Sequence, residues 1–171
     1  GLAHYVFTRD LEVGVDIERI RDVPEMEQIA EQFFSVRENA LFRALPTDRR
    51  RDAFFNCWTR KEAFIKAIGD GFFYPLKQFD VSLTPDEPSR LLRIEGDSER
   101  ASQWFMLDLQ PAPGFIAAIA VEGLTWRLIS WQWPDRPISS PTQDTMHKKM
   151  SDSESAEPQL EMDLSVDCSA H

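Results

Sequence analysis

The sequence predicts an α+β fold in which an antiparallel or mixed sheet packs on one long helix. Three observations carry that expectation. Period-two runs near both ends of the domain read as strands. Three stretches between them have helical periodicity, the last unusually long. Their order is a mixed α+β one rather than a strict βαβ alternation.

Taken in order, residues 3–8 and 13–18 alternate and read as strands joined by the polar turn Arg9-Asp10. Residues 25–34 are helical in pattern, and residues 36–44 form a second helix with Ser35 as N-cap. Residues 52–68 make the longest helix, stopped by Gly69 with Gly71 just behind it. Residues 79–83, 104–109 and 115–120 read as further strands, and residues 126–133 close the set. The clusters Thr84-Pro85-Asp86 and Pro111-Ala112-Pro113-Gly114 separate them.

Composition changes late in the chain. Every Phe, Tyr and Trp lies at or before Trp133, whereas residues 143–171 hold seven acids and two lysines. Such a segment cannot bury enough apolar surface to offset chain entropy. The domain is therefore expected over 1–138 and a disordered acidic tail over 139–171.

Overall, the 171 residues are 42% hydrophobic and 28% charged, an ordinary globular composition. No apolar run approaches the roughly 18 residues of a bilayer-spanning helix, so no membrane partner is expected. Twenty-nine acids against 19 bases give −10, the wrong sign for coating nucleic acid or an anionic lipid surface. Cys57 and Cys168 lie in very different contexts, which favours a reducing, cytoplasmic location over a disulfide framework.

Two constellations bear chemistry. In Gly14-Val15-Asp16-Ile17-Glu18, strand alternation turns Val13, Val15 and Ile17 to the core and sets Asp16 and Glu18 on the other face, roughly 6.6 Å apart. Two carboxylates at that spacing suit one hard cation, and Mg²⁺ is typically held by one or two carboxylates plus substrate phosphates. A half-exposed strand with acids on its wet face fits the same pattern. On the long helix, Trp58, Glu62 and Lys66 share one face at i, i+4 spacing. Glu62 and Lys66 suit either an ordinary surface ion pair or a third metal ligand beside a phosphate-neutralising ammonium. Cys57, with no acid–base partner in view, reads as a small core residue.

Taken together the motifs are more specific. Gly14-Val15-Asp16-Ile17-Glu18, then Phe33-Phe34-Ser35-x-x-Glu38, then Trp58-x-x-Lys61-Glu62-Ala63-Phe64-Ile65-Lys66-Ala67-x-Gly69-x-Gly71, followed by Pro75-Leu76-x-x-Phe79, resemble the 4'-phosphopantetheinyl transferases of the two-lobed Sfp type. The resemblance covers about residues 1–121 and is similar to the C-terminal lobe of that family. It implies that Asp16, Glu18 and Glu62 are Mg²⁺ carboxylates and that Lys66 binds phosphate. Lys61 then serves phosphate contact or packing, and Glu38 is the base that takes the proton from an acceptor serine. The implied reaction moves phosphopantetheine from coenzyme A to a serine of an acyl or peptidyl carrier protein, as in fatty acid, polyketide or nonribosomal peptide synthesis. Phe72 and Phe73 would line the pantetheine channel or pack the core. Arg49-Arg50-Arg51 would meet an acidic carrier protein or form a solvated loop.

One departure matters. The family's Ser-His-Ser-type nucleotide motif belongs just upstream of the first strand, and this chain opens at Gly1-Leu2-Ala3. The chain is therefore expected to be an N-terminally truncated form, self-associating through an exposed lobe interface. Two other readings stand beside the enzyme: a non-catalytic half-domain that binds a carrier protein or partner lobe, and a generic metal-dependent phosphoesterase.

Overall fold

A seven-residue strand, β1 (Val13–Arg19), leads into three helices, α1 (Met26–Phe33), α2 (Val36–Ala44) and α3 (Thr47–Ile68). A 3-10 turn (Leu76–Gln78) enters β2 (Phe79–Val81), which pairs antiparallel with β3 (Leu91–Ile94). The short α4 (Ser98–Ser102) precedes β4 (Trp104–Leu109) and β5 (Phe115–Glu122). This computed structural model describes residues 2–69, 74–95, 97–123 and 127–130. The chain divides into two units, 1–124 and 125–171, and the fold is that of the first. Of the second, residues 127–130 are described and carry no regular structure.

The strands form two antiparallel sheets, ordered β1-β5-β4 and β2-β3. The expected α+β class, an antiparallel sheet on a long helix, is what the structure shows. Helix α3 is its centre. Ala53, Phe54, Cys57, Ala63, Phe64 and Ala67 are all buried, and they face several directions around the helix. A helix covered on several sides has no single apolar stripe. One flank packs on β1 and β5, and the rings of Phe34, Phe42 and Phe54 tie α2 to another. Gly69, at φ 71°, ends α3 in the left-handed conformation that glycine tolerates best.

Local signals explain the boundaries. Ser35 and Glu38 form a full capping box at the start of α2, the side chain of each accepting the other's backbone N–H. Helix α3 starts at Thr47, directly after Pro46, rather than at Asp52. The expected loop arginines Arg49, Arg50 and Arg51 therefore lie in its first turns. Arg50 donates to Leu45 O and Arg43 O and pairs with Glu27, so it closes the C-terminus of α2. Arg49 pairs with Asp86.

Residues 3–8 form no strand; among the described residues no strand pairs with them, and Tyr5 and Phe7 stand exposed. β3 and α4 were not expected. β3 is only four residues long, and α4 is a single turn held by Asp97, which accepts from Glu99 N and Arg100 N. Of the expected strand over 126–133, residues 127–130 are irregular and the remainder lies outside the described residues, as does the tail over 139–171. No helix among the described residues is long and apolar enough to cross a membrane.

Candidate active site

The close approach of β1 to α3 builds the site. A Cβ placed on Gly14 would collide with the backbone of α3 at Ala63 O and Ala67 N. Only a residue without a side chain fits there, and small residues on α3 complete the contact. The face of β1 that carries Gly14, Asp16 and Glu18 is therefore pressed on the helix. This corrects the expected orientation. Gly14 and Asp16 are buried, whereas Val13, Val15 and Ile17 are half-buried on the opposite face. Alternation identified the two faces, but the neighbouring helix, not the more apolar set of residues, decides which one is covered.

The contact brings the acids of β1 beside those of α3. Asp16 is 7% exposed, and its Oδ1 accepts from Lys66 Nζ at 2.6 Å. Its Oδ2 is buried and has no hydrogen-bond partner. Burial raises the carboxyl pKa of Glu18, the charge on Asp16 raises it further, and a hydrogen bond from Trp58 opposes both. Glu62 is raised by burial first and by Asp16 next, with Lys66 pulling the other way and Glu18 adding to the rise. The three carboxylates thus share one field, and Lys66, about half exposed, is the ammonium paired within it.

The donor set fits a hard divalent cation in charge and chemistry. It offers carboxylate oxygens, an unpartnered buried oxygen on Asp16 and mutual repulsion that a cation would relieve. The ligands are not gathered into a ready cage, since no group of three His, Cys, Asp or Glu among the described residues stands at metal-binding spacing. Lys66 holds the other oxygen of Asp16, Oδ1, instead. Asp16, Glu18, Glu62 and Lys66 are the expected site residues that the structure brings together.

Glu38 and Lys61 lie elsewhere. Glu38 is 1% exposed and forms a 2.8 Å ion pair with Lys61, itself buried. Glu38 Oε2 also accepts from Ser35 N at 2.7 Å, and Oε1 from Val81 N at 2.8 Å. Burial pushes its pKa up, against the pull of Lys61 and the two backbone donors. Lys61 Nζ donates to Leu76 O and Phe79 O, both at 2.7 Å, and sits 4.1 Å above the Phe79 ring. Cys57 is fully buried nearby, with its thiol pKa pushed up by burial and by Glu38. Gly71, Phe72 and Phe73 lie outside the described residues.

Sequence reasoning missed a buried polar centre at Arg60. The guanidinium of Arg60, 1% exposed, makes two hydrogen bonds to Asp108 and reaches both Ser82 O and Ser82 Oγ. It lies at the base of an open cleft of about 570 Å³, shared with Phe55, Pro85 and Pro88 and separate from the acid cluster. Forty-eight residues separate Arg60 from Asp108, and no local pattern joins them.

The same fold is found in a solved enzyme. The structure is similar to Thermotoga maritima holo-[acyl-carrier-protein] synthase, with a TM-score of 0.51 and 25% identity over 66% of this chain and 64% of that one. The sequence model of the 4'-phosphopantetheinyl transferase superfamily matches residues 12–120, and the chain belongs to that family. It is 37% identical over 122 residues to the 4'-phosphopantetheinyl transferase HetI of Nostoc, covering 71% of this chain and 48% of the relative. It is 39% identical over 74 residues to the 4'-phosphopantetheinyl transferase Sfp of Bacillus subtilis, covering 43% of this chain and 32% of the relative. The chain thus spans about half or less of the length of these curated relatives.

Proposed function

We propose that the chain carries the metal and diphosphate half of a 4'-phosphopantetheinyl transferase acting on coenzyme A and on a serine of an acyl or peptidyl carrier protein, in the cytoplasm. One observation supports this above the others: Asp16, Glu18, Glu62 and Lys66 converge where β1 meets α3, with a buried oxygen of Asp16 left unpartnered. In this reading 1–138 is the transferase lobe and 139–171 an acidic tail outside it. The serine oxygen attacks the phosphorus that bears pantetheine, the anhydride bond to the other phosphorus breaks, and 3',5'-ADP leaves with the bonding pair and takes up the hydroxyl proton on its departing phosphate.

Asp16, Glu18 and Glu62 would hold Mg²⁺, which supplies charge stabilisation on the diphosphate when bound. The chain's own part is electrostatic. Lys66, half exposed at the rim, turns from Asp16 to a phosphate oxygen and neutralises charge that grows on the leaving diphosphate. The carboxylates keep the site negative until a cation enters, so metal and substrate are expected to bind together. The resemblance makes Glu38 the base, but Glu38 faces protein on every side in this structure, and the reading gives it no proton to take.

Calorimetry with Mg²⁺ and coenzyme A, coupled to transfer onto an apo carrier protein, tests the proposal. Asp16→Ala should abolish the metal-dependent heat; unchanged affinity would overturn the metal assignment. A second reading is a lobe that binds its carrier or a partner lobe without transferring. Tyr5 and Phe7 stand exposed and stacked on each other, an apolar surface that suits such a partner or a second copy. Heat on mixing with carrier protein but no transfer would select that reading, and sedimentation would show self-association.

A further inference from the structure

We propose that Glu38 and Lys61 are a positioning pair, one that sets the rotation of α3 so that Glu62 and Lys66 meet Asp16. The pair is saturated. An ammonium has three N–H donors, and those of Lys61 go to Glu38, Leu76 O and Phe79 O. Both oxygens of Glu38 are taken as well, by Lys61, Ser35 N and Val81 N. A proton acceptor needs an open lone pair facing its substrate, and Glu38, 1% exposed, presents none to solvent. Lys61 likewise has no donor left for a phosphate.

What the pair does instead follows from where its partners sit. It joins the start of α2, the middle of α3, the turn at Leu76 and the first strand of the smaller sheet. Consecutive residues of a helix project about 100° apart, so pinning Lys61 fixes the direction of Glu62, the next residue. The close contact at Gly14 sets the distance from β1 to α3, and the buried pair sets the angle. Such a pair contributes little net stability against an apolar replacement, yet breaking it from one side leaves an uncompensated buried charge.

Three variants of the full chain test this: Glu38→Gln, Lys61→Met and the double variant. Each is melted, and each is titrated with Mn²⁺ by electron paramagnetic resonance at a temperature where circular dichroism shows it folded. Either single change should lower Tm by roughly 10 °C and weaken Mn²⁺ by about 10-fold, although neither residue reaches the metal site. The double variant, which removes the buried charges together, should recover most of both. Glu38→Gln with wild-type Tm and wild-type Mn²⁺ affinity would overturn the proposal. So would a double variant that recovers Tm but not the metal, because the pair would then be structural only. The inference rests on the transferase reading solely through the metal. A wild-type chain that binds no Mn²⁺ counts against that reading, and the melting arm still decides whether the two charges are coupled.

Discussion

The two sides of α3 contrast sharply. On one side Lys61 and Glu38 are buried, and their charges and hydrogen bonds are matched atom for atom. On the other, three carboxylates share one field with Lys66, one oxygen of Asp16 has no partner, and the pKa values of Glu18 and Glu62 are raised. The same helix carries a finished polar cluster and an unfinished one. Folding alone accounts for the first. The second costs stability, and a ligand that supplies positive charge would relieve it.

Substitutions can break or sharpen that contrast. The largest effect is expected at the finished cluster, where Lys61→Met leaves Glu38 charged and buried without its cation. Urea unfolding should show a loss of about 3–5 kcal/mol. Next is Gly14→Ala. The added carbon meets backbone rather than a side chain that can move away, so α3 must shift. A loss of about 1–3 kcal/mol is expected, with weakened metal binding in the folded fraction.

The unfinished side predicts the opposite sign. Glu62→Gln should stabilise the metal-free chain at neutral pH, since it removes a charge held beside Asp16. A carboxyl whose folded-state pKa is raised favours the fold when protonated. Its contribution is complete below the unfolded value of 4.5 and is lost as pH rises through the raised value. The advantage of Glu62→Gln in thermal melts should therefore appear as pH rises toward neutral and vanish below about pH 4.5. A variant less stable than wild type at pH 7 would show that the acids are not in conflict. The smallest effect is expected for Lys66→Met. This side chain is half exposed, so its pair with Asp16 is screened by water, and stability should change by less than about 1 kcal/mol.

Much of this contrast was legible in the residues. The site side was marked by local spacings: i, i+2 on β1, and i, i+4 for Glu62 and Lys66 on α3. Ser35 announced the start of α2 as its N-cap. What stayed hidden depends on partners distant in sequence. The helix-facing side of β1 was misjudged because Gly14, with no side chain, carries no apolar signal, although it makes the tightest contact. The burial of Glu38 depends on Lys61 and on Val81, 43 residues away, so its spacing marks a cap but not an ion pair. Arg60 and Asp108 meet only through the packing of β4 on α3. Residues 3–8 alternate like a strand, yet a strand needs a neighbour, and no periodicity reports whether one is present.

The central claim is that the acids of β1 and α3 form one cation site. Its most direct test is Mn²⁺ binding to the full chain followed by electron paramagnetic resonance, comparing wild type with Asp16→Asn. Mn²⁺ shares the preference of Mg²⁺ for oxygen ligands and reports its own binding. The account predicts one bound ion in the wild type and affinity weakened by at least about 10-fold in Asp16→Asn, with no loss of Tm. Equal affinity in the two proteins would contradict it.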